Sequence, residues 1–293
     1  MTNTKQTRFL SSTLLAASLA LPAMAQLHNP QGLAVDSRGR IWVANNSTNN
    51  VLKINASTGQ ILQAITAGVS GPSRLAFDTL GNLYVANTTA NTITEYDTVY
   101  TNTGPGPGTL IRTISGSFIQ RPNGVAVDAY GDVYISNGGT NSVVAVNVDG
   151  GLVETLTVDN SGFSFTAPGP LAIHGQDLYL GLGPQPGENA VISYNVGEFL
   201  TSNPKERVVY TNSVNTGPTG IAFDSAGNVY VSDVYSGSWV QYNSSGAFQF
   251  AVTSGYAEGI AWDASTGYIY VTDGVANNIG VFTTAGAPVT TLF

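Results

Sequence analysis

The sequence predicts an all-β chain: a six-bladed β-propeller of four-stranded antiparallel blades. Three observations predict it. One short phrase returns six times, in copies starting near residues 30, 72, 122, 168, 218 and 257. The residue closing its first apolar run (Asp36, Asp78, Asp128, His174, Asp224, Asp263) recurs at steps of 42, 50, 46, 50 and 39 residues, the period of propeller blades. The apolar runs are short, β-branched and aromatic, which suits buried strands and not helices.

Before the first copy, Lys5 and Arg8 precede an apolar stretch from Phe9 to Leu21, and Ala23-Met24-Ala25 offers a small-residue cleavage site. Residues 1–25 therefore read as an export signal, whose apolar stretch is too short to span a bilayer comfortably. Residues 26–293 remain as one propeller domain in a periplasmic or extracellular protein. No membrane span is expected in that mature chain. It holds eight basic and eighteen acidic residues, a formal charge of −10, so nucleic acid is an unsuitable partner. Charged residues make up only 10% of the sequence, which leaves Asn, Thr, Ser and Gly to cover much of the surface. Cysteine is absent, which excludes disulfides and thiolate metal sites.

The first copy opens with Pro30-Gln31-Gly32-Leu33-Ala34-Val35-Asp36, a strand whose small residues suit the crowded centre where blades converge. Its second strand, Ile41-Trp42-Val43-Ala44, is apolar at consecutive positions, as a strand covered on both faces should be. Strands over Val51–Ile54 and Ile61–Thr66 complete it. In the second copy the same roles fall to Pro72 onward, Leu83–Ala86, Ile93–Tyr96 and Leu110–Ile114. Five copies place nine positions between the end of the second strand and the last apolar residue of the third, as from Asn45 to Ile54. That constancy predicts one hairpin, with Asn49, Asn91, Asn141 and Asn277 as turn residues suited to left-handed backbone. The recurring Asp36, Asp78, Asp128, Asp224 and Asp263 are expected to bond turn amides, and Asn45, Asn87, Asn137, Asp233 and Asp273 to cap hairpins.

The fourth copy is the irregular one. Gly183-Pro184-Gln185-Pro186-Gly187-Glu188 lengthens its hairpin, and Phe163 and Phe165 precede it. Strand directions place these segments beside the axis as one wall of a binding mouth. The sixth copy ends in its own fourth strand, Pro288–Phe293, so the ring is expected to close without exchanging a strand.

The phrase Pro218-Thr219-Gly220-Ile221-Ala222-Phe223-Asp224, followed by Gly227-Asn228-Val229-Tyr230-Val231-Ser232-Asp233, resembles the NHL repeat across the mature chain. That resemblance implies the propeller and no single activity, because such folds host binders and enzymes alike. Tyr256-Ala257-Glu258-Gly259-Ile260-Ala261-Trp262-Asp263 resembles, more narrowly, the Glu-Gly-x-x-Trp phrase of gluconolactonase-like calcium hydrolases. That resemblance implies an axial Ca2+ held at the position before the phrase glycine, here Gln31, Ser73, Asn123, Gly169, Thr219 and Glu258. Counted onward from the Glu blade, the family's Asn, Asn and Asp correspond to Ser73, Asn123 and Gly169. Two of the four positions match, leaving Glu258 and Asn123 as candidate metal ligands. Gly169 can act neither as ligand nor as base.

Glu258 is the only axial carboxylate and the one candidate catalytic residue. Gln31, Ser73, Asn123, Thr219, Glu258, Phe163 and Phe165 are the candidate ligand contacts. His28 and His174 cannot build a three-histidine zinc site, and no serine-hydrolase elbow, Walker loop or dinucleotide fingerprint stands in the right context. The expectation is a monomeric module that binds a small molecule, glycan or extracellular protein through its axial face. The alternative is a divergent metal-dependent hydrolase of lactones or esters.

Overall fold

In the computed structural model, the described residues are 26–99, 108–157, 165, 168–183, 190–200, 208–210 and 217–293. They form six four-stranded antiparallel sheets, each made of four consecutive strands in the order of the chain. Blade 1 comprises β1 (Pro30–Val35), β2 (Arg40–Asn45), β3 (Asn50–Asn55) and β4 (Ile61–Ile65). Blade 2 comprises β5 (Pro72–Phe77), β6 (Leu83–Asn87), β7 (Thr92–Asp97) and β8 (Thr109–Ser115). Blade 3 comprises β9 (Pro122–Val127), β10 (Val133–Asn137), β11 (Ser142–Val146) and β12 (Leu152–Leu156). Blade 4 comprises β13 (Pro168–His174), β14 (Asp177–Leu182), β15 (Ala190–Asn195) and the short β16 (Val208–Tyr210). Blade 5 comprises β17 (Pro218–Phe223), β18 (Val229–Asp233), β19 (Ser238–Tyr242) and β20 (Phe248–Thr253). Blade 6 comprises β21 (Ala257–Trp262), β22 (Tyr268–Asp273), β23 (Asn278–Thr283) and β24 (Pro288–Leu292).

Consecutive apolar residues become two-sided burial because side chains alternate across a strand. In β2, Ile41 and Val43 enter the core between blades 6 and 1, while Trp42 and Ala44 enter the core between blades 1 and 2. Six such clusters fill the six seams between blades. Ring closure uses the same packing as every other seam. Strand β24 stays with its own blade, and β1 packs directly on β21 and β22.

The repeated polar residues hold turns and seams. Asp224 shows the first role: one carboxylate oxygen accepts the amides of Ala226 and Asn228, and the other accepts Asn228 Nδ2 and the Tyr230 hydroxyl. Asp36, Asp78, Asp128 and Asp263 likewise accept turn amides. At the second-strand ends, Asn45, Asn87, Asn137, Asp233 and Asp273 accept amides of the segment entering their own blade, at His28, Ser70, Gln120, Gly217 and Tyr256. The turn residues Asn49, Asn91, Asn141 and Asn277 all have positive φ, between 51° and 58°. Three of them reach across a seam: Asn49 to the amide of Gly71, Asn91 to that of Arg121, and Asn277 to that of Asn29.

Candidate functional site

The inner strands begin on one face of the disc, called the top here, and bring all six positions before the phrase glycine to the axis. Gln31, Ser73, Asn123, Gly169, Thr219 and Glu258 line a single cavity of about 310 Å³, together with Arg74, Pro170, Gly183, Gly217, Val234, Tyr235 and Tyr256. A second axial cavity of about 550 Å³ opens on the opposite face, among Val35, Phe77, Val127, Ile173, Phe223 and Trp262, and shares no lining residue with the first.

Close approach of the inner strands requires glycine at most of the intervening positions. A Cβ on Gly124 would lie 2.4 Å from the Gly169 carbonyl oxygen, and one on Gly259 would lie 2.5 Å from the Gln31 carbonyl oxygen. Two blades depart from this rule, blade 2 with Arg74 and blade 4 with Pro170. The Arg74 stem runs across blade 1 where Gly32 leaves room: a Cβ on Gly32 would lie 3.1 Å from Arg74 Cδ. Beyond it, Arg74 Nη2 lies 3.6 Å from Glu258 Oε2 of blade 6, and Nη1 donates to the Ser73 carbonyl oxygen at 2.9 Å. Arg74 Nε is buried without a hydrogen-bond partner. Burial pulls the Arg74 pKa down and the facing Glu258 carboxylate opposes that pull. Burial, then Glu258 and Tyr235, raise the Tyr256 phenol.

Two of the hydroxyls at the axis are committed to backbone. Ser73 Oγ donates to the carbonyls of Ala86 and Pro122, and Thr219 Oγ1 donates to that of Ala257. Both therefore tie adjacent blades together as well as lining the cavity. Tyr235 and Tyr256 stand at its mouth, 66% and 42% exposed. Phe165 lies elsewhere: it is 1% exposed in the core between blades 3 and 4, edge-on to Tyr194. Phe163 and residues 184–188 of the insertion lie outside the described residues, while Gly183, where that insertion begins, lines the cavity. His174 closes the inner strand of blade 4 on the opposite face and stacks on Phe223 at 4.5 Å.

Sequence reasoning missed Arg74, Tyr235 and Tyr256. The signal for Arg74 was present as a charged residue in a glycine column. The tyrosines carry no repeat signal.

With Arg74 in place, the axial residues do not fit a calcium ion. That ion takes six to eight oxygens, with carboxylates supplying much of the charge. Here the one carboxylate among the six axial positions faces a guanidinium, and Gly169 has no side chain. Among the described residues no group of three or more His, Asp or Glu could hold a metal.

A family model described as the SMP-30/gluconolactonase/LRE-like region matches residues 11–86, which include Gln31, Ser73 and Arg74 and stop short of Asn123 and Glu258. The search of curated proteins finds no match. Among solved structures, the chain is similar to a catalytically inactive histidine-to-alanine virginiamycin B lyase from Staphylococcus aureus with quinupristin. That match has 17% identity and a TM-score of 0.63, covering 92% of this chain and 85% of that one. A nidogen/laminin complex matches at 14% identity and a TM-score of 0.67, covering 86% of this chain and 92% of that one. Hydrazine synthase of Kuenenia stuttgartiensis matches at 14% identity and a TM-score of 0.64, covering 95% and 100%. At these identities the similarity speaks to the fold alone.

Proposed function

We propose that this chain is an exported binding module whose top axial cavity takes a small molecule, a glycan or a segment of an extracellular protein. The observation that carries the reading is the convergence of all six axial positions on one cavity with two exposed tyrosines at its mouth. Tyrosine rings supply rigid contact area with a polar tip, and the amides of Gln31 and Asn123 supply both donors and acceptors around the wall. A volume of about 310 Å³ sits at the small end of ligand pockets. It suits one compact group or an inserted side chain better than an extended polymer.

The test is a thermal-shift screen of the exported protein against glycan and peptide panels, repeated on Tyr235→Ala, Tyr256→Ala and Asn123→Ala. Hits weakened by these changes support the reading. Hits that bind all three variants as well as wild type would move the site away from the top face.

A second reading, a metal-dependent hydrolase of lactones or esters, draws on the family match over residues 11–86 and on Glu258. Arg74 weighs against it, because the only carboxylate among the six axial positions already faces a cation. Calcium-dependent lactone turnover lost in Glu258→Gln would reverse the ranking.

A further inference from the structure

We propose that Arg74 is the resident cation of the propeller axis: its guanidinium neutralises Glu258, holds the place a divalent ion would need, and makes the axial site metal-independent. The inference concerns this site's own charge balance and stands whichever ligand the cavity takes.

Four observations carry it. Arg74 occupies a position that is glycine in four of the other five copies, so the charge is an addition to the phrase. Its stem crosses blade 1 through the gap that Gly32 leaves and sets the guanidinium against Glu258, a carboxylate 184 positions further along the chain. Each partner is partly buried, with side-chain exposures of 15% and 13%, and a carboxylate held mostly away from water gains from a countercharge. Among the described residues no other cationic side chain lines the cavity. A metal entering beside Arg74 would meet a positive charge in a poorly solvated site, where like-charge repulsion is weakly screened.

Arg74→Gly restores the phrase of the other copies and removes only side-chain atoms, so the fold should accept it. It also strips Glu258 of its countercharge. The proposal therefore predicts a gain of function: wild type shows no change in melting temperature with millimolar calcium, whereas Arg74→Gly rises by about 2–4 °C. Terbium offers a second readout, since a lanthanide ion in the cavity would be sensitised by Tyr235 and Tyr256. Its luminescence should appear in Arg74→Gly and vanish in Arg74→Gly/Glu258→Gln. Millimolar guanidinium, far below denaturing concentrations, should also raise the melting temperature of Arg74→Gly and leave wild type unchanged.

A calcium shift in wild type that Glu258→Gln removes would overturn the proposal. So would a folded Arg74→Gly protein that responds to neither calcium nor guanidinium. Should Arg74→Gly fail to fold, Arg74→Met carries the same tests with the stem retained. The wild-type titration decides independently of either variant.

Discussion

The side-chain oxygen of Asn277 accepts the backbone N–H of Asn29 at 2.7 Å, joining two residues 248 positions apart and closing the ring between blades 6 and 1. The bond repeats a clasp used at two other seams, by Asn49 and Asn91. In each case the left-handed turn that asparagine tolerates also aims its side chain at the next blade.

Asn277→Ala should therefore lose about 1 kcal/mol for the hydrogen bond and about 1 kcal/mol or more for a non-glycine residue at positive φ. Asn277→Gly should lose the first contribution and recover most of the second. Urea unfolding of both variants separates the contributions. If both match wild type, the clasp contributes nothing to closure.

The glycines of the inner strands should differ sharply in tolerance. Gly124→Ala places a Cβ 2.4 Å from a backbone oxygen and 2.6 Å from Ser136 Oγ, and is expected to destabilise by about 1–3 kcal/mol through overpacking. At Gly169 the nearest atom to a new Cβ is 3.3 Å away, so Gly169→Ala should cost less. Equal loss in the two variants, measured by thermal melting, would show that inner-strand spacing relaxes freely.

Acid lability should be traceable to Asp224. Burial pushes its carboxyl up, but hydrogen bonds from Asn228, Tyr230 and the turn amides outweigh burial and hold its pKa below the ordinary 3.8. A depressed folded value stabilises the protein above the unfolded pKa, and that contribution is lost as pH falls through the folded value. Asp224→Asn should thus be less stable than wild type near neutrality, by about 1–3 kcal/mol. The gap should narrow below pH 3.8. A gap that stays constant with pH would assign the loss to packing and not to ionisation.

Alkaline unfolding should follow the buried tyrosines. Burial foremost, opposed by Arg112 and aided by Glu95, raises Tyr84 to about 12, and burial with neighbouring carboxylates or phenols drives Tyr134, Tyr210 and Tyr230 higher still. The folded state favours the neutral phenol, so its stabilisation is complete below the unfolded value of 10.0 and is lost as pH rises toward the folded values. Stability should fall steeply above pH 10. Tyrosinate absorbance should then appear together with loss of the fold for these residues. Ionisation of all tyrosines in a still-folded chain would contradict this.

The blades were legible because each records its own local physics. Ile41 to Ala44 announce a strand buried on both faces, and Asp36 and Asn49 announce the turns around it. What these residues do across a seam was not legible, because Asn277 carries no mark of its partner near Asn29. The axial position of Glu258 was recoverable from the repeat, whereas its pairing with Arg74 was not. Arg74 looks like drift from glycine until ring closure places blades 2 and 6 on either side of blade 1. Phe165 misled for a related reason: an aromatic beside an irregular loop reads as a mouth residue, yet the seam between blades 3 and 4 needed its volume beside Tyr194.

Because every sheet is made from four consecutive strands, the ring has no privileged starting blade. Leu27 and Leu292 already share one core cluster, so a short linker could join the two ends beside the seam between blades 6 and 1. A chain opened instead at exposed Gly68, between β4 and β5, would be a circular permutant that keeps all six sheets uncut. Its unfolding should remain a single cooperative transition, since the linear order of the blades would then be a genetic convention and their adjacency around the axis the physical one.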